Sequence, residues 1–158
     1  AKIWISKLGK YHDTMFFDCH AGCGVYIDQV TGAVSYGSSF LVEDIAYEIN
    51  TKRNSKHYIC ACEIDHAYYA NFQKVIDDIG KKTISLKNND FQTVLSDPRV
   101  NKYYSTHPTL FFVDPFGYTM KMSSIAKMMA NRKNEVFINF MFDFVNCFLS
   151  YSPCGPFS

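Results

Sequence analysis

The sequence predicts an α/β fold with a doubly wound, mostly parallel sheet of at least five strands, in a single domain over residues 1–158. Two observations carry this. Short apolar runs alternate along the chain with segments of helical periodicity, the pattern of parallel strands joined by crossover helices. Two of those runs, Thr14 to Asp18 and Thr109 to Val113 with Asp114 after it, close on an aspartate and break into loops containing Gly or Pro. Runs that short are strands rather than helices. Their carboxyl ends form the edge at which open α/β sheets bind ligands. Two such edges suggest a nucleotide-type cofactor at the first and chemistry at the second.

The elements come in order. Ile3, Trp4, Ile5 and Leu8 suit the end of a helix within Lys2 to Lys10, and the first strand covers Thr14 to Asp18. A loop containing Gly22, Gly24, Gly32 and Gly37 comes next. Ser38-Ser39 can then cap a helix over Phe40 to Asn50, since serine oxygens accept from the free N–H groups of a first turn. The second strand is His57 to Cys62, ending at Glu63, and Ala67 to Ile79 is a helix that Gly80 stops. Thr83 to Leu86 is a short third strand, opening into Asn88-Asn89-Asp90. Phe91, Val94 and Leu95 support a short helix before Asp97-Pro98. The fourth strand is Thr109 to Val113, a helix covers about Ser123 to Ala130, the fifth strand is Val136 to Phe140, and Phe142 to Leu149 starts one more helix. Five strands alternating with helices make the expected sheet Rossmann-like.

Bulk properties narrow the function classes. A chain of 158 residues can bury a real core in one domain. Fourteen Phe and eleven Tyr against one Trp imply a Phe core with Tyr at its margins. The net charge of +1 supplies no field for nucleic acid or a membrane surface. That argues against a stand-alone tight DNA binder and leaves a local basic patch open. No apolar run nears the roughly 20 residues of a membrane span, and no signal-peptide pattern opens the chain. The chain starts at Ala1 rather than Met, so a processed, truncated or disordered start is expected. Cys19, Cys23, Cys60 and Cys62 fall in or beside core strands and, with Cys147 and Cys154, do not form a secreted disulfide pattern. A reducing, cytoplasmic setting is the expectation.

The chemistry is concentrated at the strand ends. Asp18 leads into Cys-His-Ala21-Gly22-Cys-Gly24, where the lack of Cβ atoms on alternate residues lets a ligand approach the main chain. A ligand-free tight turn is the alternative, and the spacing is not the dinucleotide fingerprint G-x-G-x-x-G. Glu63 can accept from both hydroxyls of a ribose, against an exposed strand-end carboxylate. Asp90 suits an adenine amino group, against an ordinary turn. In Asp114-Pro115-Phe116-Gly117-Tyr118 the proline stiffens the loop, so Asp114 can face a flat substrate group while Phe116 or Tyr118 stacks on it. A plain strand-ending β-turn is the alternative. Cys19, Cys23 and Cys62 with His20 do not have the spacing of paired zinc knuckles, so buried thiols are expected there rather than a metal.

Together these segments resemble the class I S-adenosylmethionine-dependent methyltransferases, and more closely the three-Cys-motif partner proteins. The resemblance covers about Thr14 to Phe148. It is carried by Phe17-Asp18-Cys-His-Ala-Gly22-Cys-Gly24, Gly37-Ser38-Ser39, Glu63, Phe111-Phe-Val-Asp114-Pro-Phe-Gly117-Tyr118 and Asn134-Glu135-Val-Phe-Ile-Asn139-Phe-Met-Phe-Asp143. It implies the strand order 3-2-1-4-5 and S-adenosylmethionine as cofactor. Asp18 and Ala21 to Gly24 would lie at its methionine part, Glu63 at its ribose and Asp90 near its adenine. Asp114, Pro115 and Phe116 would be catalytic and Tyr118 substrate-binding, where amino-methyltransferases of nucleic acids carry Asp/Asn-Pro-Pro-Tyr/Phe. This chain departs from that motif at Phe116-Gly117, and Cys19-His20 replaces a common Leu-Phe. A complete class I core adds a sixth strand and a final hairpin, so a truncated or reduced version is expected. Two functions stay open, a methyltransferase with nucleic acid as a candidate substrate and a non-catalytic module that keeps the fold to bind a protein partner; a third, a nicotinamide-binding protein, is weakened by the absent G-x-G-x-x-G.

Overall fold

Five parallel strands in the order β5-β4-β1-β6-β7 form the sheet of the computed structural model, which describes residues 1–50, 55–81, 83–115 and 120–139. The chain runs α1 (Lys2–Leu8), β1 (Thr14–Asp18), β2 (Val25–Ile27), β3 (Val34–Tyr36), α2 (Ser38–Asn50), β4 (His57–Cys62) and α3 (His66–Ile79). It continues through β5 (Ile84–Lys87), α4 (Phe91–Leu95), α5 (Pro98–Thr106), β6 (Thr109–Val113), α6 (Met122–Met128) and β7 (Glu135–Ile138). Numbered within the sheet, the strand order is 3-2-1-4-5, so the Rossmann-like, doubly wound fold read from the sequence is the fold the chain adopts. The expected helix from Phe142, together with Phe140, Cys147 and Cys154, lies outside the described residues. Among the described residues no helix is long and apolar enough to cross a membrane.

β1 sits at the centre because it can be buried on both faces; all five of its residues are buried. Phe16 joins the core on one face with Phe40, Ile59, Phe72 and Ile76, and Phe17 joins the other with Leu95, Tyr104, Phe111 and Met128. Tyr104 corrects the expectation that tyrosines stay marginal. It is 1% exposed, and its hydroxyl is satisfied by donating to Leu95 O at 3.0 Å and accepting from Asn101 Nδ2 at 2.6 Å.

Helix boundaries are set by their caps. Asp65 Oδ1 accepts from Ala67 N at 2.8 Å and Tyr68 N at 3.0 Å to start α3. Gly80, at φ 69, ends it in the left-handed conformation. Three local features differ from the sequence reading. Asp97-Pro98, read as an end, starts α5: Asp97 Oδ1 accepts from Arg99 N at 2.8 Å, and Pro98 occupies the first turn, where no donor is needed. The glycine-containing loop after β1 holds a hairpin, β2–β3, whose turn is built by Asp28 Oδ1 accepting from Val30 N and Thr31 N at 2.9 and 2.7 Å. Ser38 and Ser39 open α2, but their hydroxyls turn away from the helix to the carboxylate of Asp18.

Candidate functional site

β1, β4, β5 and β6 run parallel, so their carboxyl ends meet at one edge. The chain reverses its direction of travel across the sheet at β1, and ligands bind where such a reversal leaves a crevice. A cleft of about 450 Å³ opens there. The loop after β1 supplies Cys19, His20 and Gly22, the hairpin supplies Tyr26, and the end of β4 supplies Cys62 to Asp65. Tyr68 of α3, Asn89, Asp90 and Phe91 beyond β5, and Asp114 beyond β6 complete it.

Of the residues singled out in the sequence, Gly22, Glu63, Asp90 and Asp114 come together on this cleft, as do Cys19, His20 and Cys62. Glu63 is buried, with Oε2 accepting from Gly22 N at 2.8 Å and Oε1 from Asp65 N at 2.7 Å. Those bonds fix the carboxylate, and each oxygen keeps acceptor capacity for a ligand. Asp90 occupies the N-cap position of α4 without making a side-chain cap bond, unlike Asp65 and Asp97. Asp114 Oδ1 accepts from Asn139 Nδ2 at 2.9 Å. Pro115 is half-buried next to it, while Phe116 and Tyr118 lie outside the described residues.

Asp18, Ala21 and Gly24 support the cleft from behind. Asp18 is fully buried; its Oδ2 accepts from Ser38 Oγ at 2.5 Å and Ser39 Oγ at 2.8 Å, tying the loop of β1 to the start of α2. Burial pushes its carboxyl pKa up, and the two serine hydroxyls pull it back. Ala21 is buried, with its N–H donating to Cys62 O at 2.9 Å. Gly24 has φ 79, and a Cβ there would stand 2.7 Å from the Phe72 ring and 2.9 Å from that of Phe40. The space that its missing side chain leaves is filled by these core rings.

Histidine and cysteine complete the lining. His20 stands edge-on to Phe91, with ring centroids 5.1 Å apart, and its buried Nδ1 has no hydrogen-bond partner among the described residues. Burial holds the imidazole below its ordinary pKa, against the upward pull of Asp114, Glu63 and Asp90. Burial pushes the Cys19 thiol well up; for Cys62 the hydrogen bond with Cys60 does so, with burial adding to it. Both are buried, and thiols buried in apolar surroundings are poor nucleophiles.

Four carboxylates line the cleft, those of Glu63, Asp65, Asp90 and Asp114, and no Lys or Arg does among the described residues. The loop after β1 leads into a hairpin rather than a helix, so no helix N-terminus is aimed at a ligand from this loop. The arrangement favours a ligand that is cationic or rich in N–H and O–H donors over one carrying phosphate. Neither protein-family models nor curated proteins match this chain.

Tyr26, Asp65 and Tyr68 line the cleft and Asn139 supports it, and the sequence reading assigns none of the four to a site. Tyr26 had one available signal, the apolar triplet Val25-Tyr-Ile27 and its echo Val34-Ser-Tyr36, separated by a turn-forming Asp28 and Gly32. Tyr68 falls within the expected helix Ala67 to Ile79, and Asn139 within the expected strand Val136 to Phe140.

Proposed function

We propose that this protein is a class I methyltransferase-like protein that binds S-adenosylmethionine in the acidic cleft and presents a methyl acceptor at its Asp114 end. The observation that carries the reading is a switch-point cleft lined by four carboxylates and, among the described residues, by no Lys or Arg. S-adenosylmethionine carries a sulfonium and an ammonium and has no phosphate, so its charge complements that lining. A nicotinamide dinucleotide carries a pyrophosphate, which calls for glycine-rich backbone at a helix N-terminus. The resemblance to the three-Cys-motif partner proteins supports the same cofactor.

In this reading Glu63, already oriented by Gly22 N and Asp65 N, accepts from the ribose hydroxyls. Asp90, making no cap bond, accepts from the adenine amino group. The Gly22 backbone approaches the methionine part, and Asp18, Ala21 and Gly24 hold that loop in place. Bound there, the cofactor supplies an electrophilic methyl group; the protein supplies orientation and exclusion of water. Asp114, steadied by Asn139, orients the acceptor and takes its proton, with Pro115 stiffening the loop; Phe116 and Tyr118 are the residues that the resemblance assigns to the acceptor. An amino group of a nucleic acid is the acceptor class the resemblance suggests. The buried Cys19, Cys60 and Cys62 thiols, all free, suit a reducing, cytoplasmic compartment.

The departure at Phe116-Gly117 favours a second reading, a non-catalytic partner module that keeps the fold. Calorimetric titration with S-adenosylmethionine, with NAD as control, tests the first. Binding by the wild type that falls at least about tenfold in Glu63→Ala and in Asp90→Ala, each replacing a hydrogen bond to a charged group, supports the cofactor site. No binding by folded protein refutes it and leaves the partner module.

A further inference from the structure

The hairpin β2–β3 interrupts the path from β1 to α2 and places one aromatic side chain in the cleft. Tyr26 is seated there on two glycines. A Cβ on Gly22 would collide with its hydroxyl oxygen, and a Cβ on Gly37 would stand 3.5 Å from its ring carbon Cε2. The Gly37 N–H donates to Gly24 O at 2.7 Å, tying the base of the hairpin to the loop of β1. The ring therefore has a fixed seat although the residue remains 48% exposed.

The acids around Tyr26 locate it within the cleft. Cys23, Asp18, Glu63 and Asp114 act on its phenol electrostatically. Tyr26 thus adjoins Glu63 through Gly22, whose N–H donates to Glu63 Oε2 at 2.8 Å and whose missing Cβ makes room for the Tyr26 hydroxyl. Of the two other aromatic residues in the lining, Phe91 is 2% exposed and packed against His20, and Tyr68 projects from α3. An electron-rich ring face beside carboxylates is a site for a positive charge.

We propose that Tyr26 is a ligand-contacting residue that recognises the positive charge of the ligand, its phenol ring taking the sulfonium while Asp114 and Glu63 supply the surrounding negative field. This rests on the cofactor reading above. It makes the hairpin part of the site and makes Tyr26 the residue that separates a charged sulfonium from the neutral thioether left after methyl transfer.

The test is calorimetric titration of wild type, Tyr26→Phe and Tyr26→Leu with S-adenosylmethionine and with S-adenosylhomocysteine, after thermal melts establish that each variant is folded. A cation–ring contact of about 1–2 kcal/mol corresponds to about a 5- to 30-fold change in affinity. Tyr26→Leu is expected to lose that much for the sulfonium and no more than about threefold for the thioether, while Tyr26→Phe, which keeps the ring, stays within about threefold for both. The S-methyl resonance of carbon-13-labelled cofactor should shift on binding to wild type and Tyr26→Phe, and that ring-current shift should vanish in Tyr26→Leu. Equal losses for the two ligands, no loss, or an unchanged methyl resonance in Tyr26→Leu would overturn the role of Tyr26 alone. A folded wild type that binds neither ligand overturns the cofactor reading and this inference with it.

Discussion

Gly24→Ala offers a direct test of what the glycines after β1 do. Gly24 has φ 79, and an L-residue in that region costs about 1–2 kcal/mol. Reduced freedom of the unfolded chain returns about 0.4–1 kcal/mol, which leaves a net backbone cost near ~1 kcal/mol. The packing cost comes on top. The new Cβ would stand 2.7 and 2.8 Å from Phe72 ring carbons and 2.9 Å from a Phe40 ring carbon. Both rings are essentially buried, at 0% and 1% exposure, and they touch one another with centroids 4.8 Å apart. They have little room to retreat, and overpacking of this kind costs about 1–3 kcal/mol. Gly24→Ala should therefore destabilise the protein by about 2–4 kcal/mol. Gly32→Ala is the matched control: its φ is 68, and a Cβ there meets nothing within 4 Å, so only the backbone cost of about 1 kcal/mol remains. Urea unfolding at constant m-value measures both. Equal midpoint shifts for the two variants would refute the assignment of Gly24 to core packing and return it to the ligand-approach role that its sequence context suggests.

The acids at helix starts divide in the same testable way. Asp65→Ala should cost about 1 kcal/mol of stability, because it removes the acceptor for two N–H groups of α3; Asp90→Ala, which removes no side-chain cap bond, should stay within about 0.5 kcal/mol. A comparable loss in both would show that Asp90 is structural. His20 sets a pH dependence. Its folded pKa lies below the ordinary 6.5 because of burial, so the unfolded chain binds the proton more readily. The contribution of His20 to stability is then full above about pH 6.5 and is lost as pH falls from there toward its folded value. His20→Phe keeps a ring against Phe91 and removes the titration, so urea midpoints measured from pH 5 to pH 8 should fall less steeply toward acid than in wild type. Identical slopes would refute the depressed pKa.

The main sheet was legible because its strands announce themselves. Thr14–Asp18 and Thr109–Val113 are apolar runs bounded by polar turns, and both match the observed β1 and β6. Their burial between neighbours on both sides rewards that composition directly. The features that escaped depend on partners that local sequence does not specify. The strands of the hairpin have three residues each, too few for a period to show. Asp97-Pro98 can stop one helix or start another, and the free N–H groups of Arg99 and Val100 decide the matter. The hydroxyls of Ser38 and Ser39 would serve a helix cap well, yet Asp18, 20 and 21 positions away, would otherwise be a buried carboxylate without those two donors. That cost outweighs a cap.

The glycines show the same limit at the site itself. A glycine records that space is needed and is silent about what fills it. Gly24 yields to Phe72 and Phe40, Gly22 to the hydroxyl of Tyr26, and among the described residues only Gly22 of these two lies on the cleft. Charge is concealed in a similar way. A net charge of +1 over the whole chain gives no hint of an acidic pocket, because Glu63, Asp90 and Asp114 are separated by tens of residues. Each lies just beyond a different strand, and the parallel arrangement of β4, β5 and β6 around β1 carries all three to one edge. The charge of a binding site is therefore a property of topology acting on strand ends. A doubly wound sheet can hold a cationic or an anionic ligand at the same crevice, depending on the residues that close each strand. In this chain the loops leaving β4, β5 and β6 bring acids to the crevice, and the loop after β1 brings a hairpin bearing Tyr26 where a phosphate-binding helix would otherwise begin.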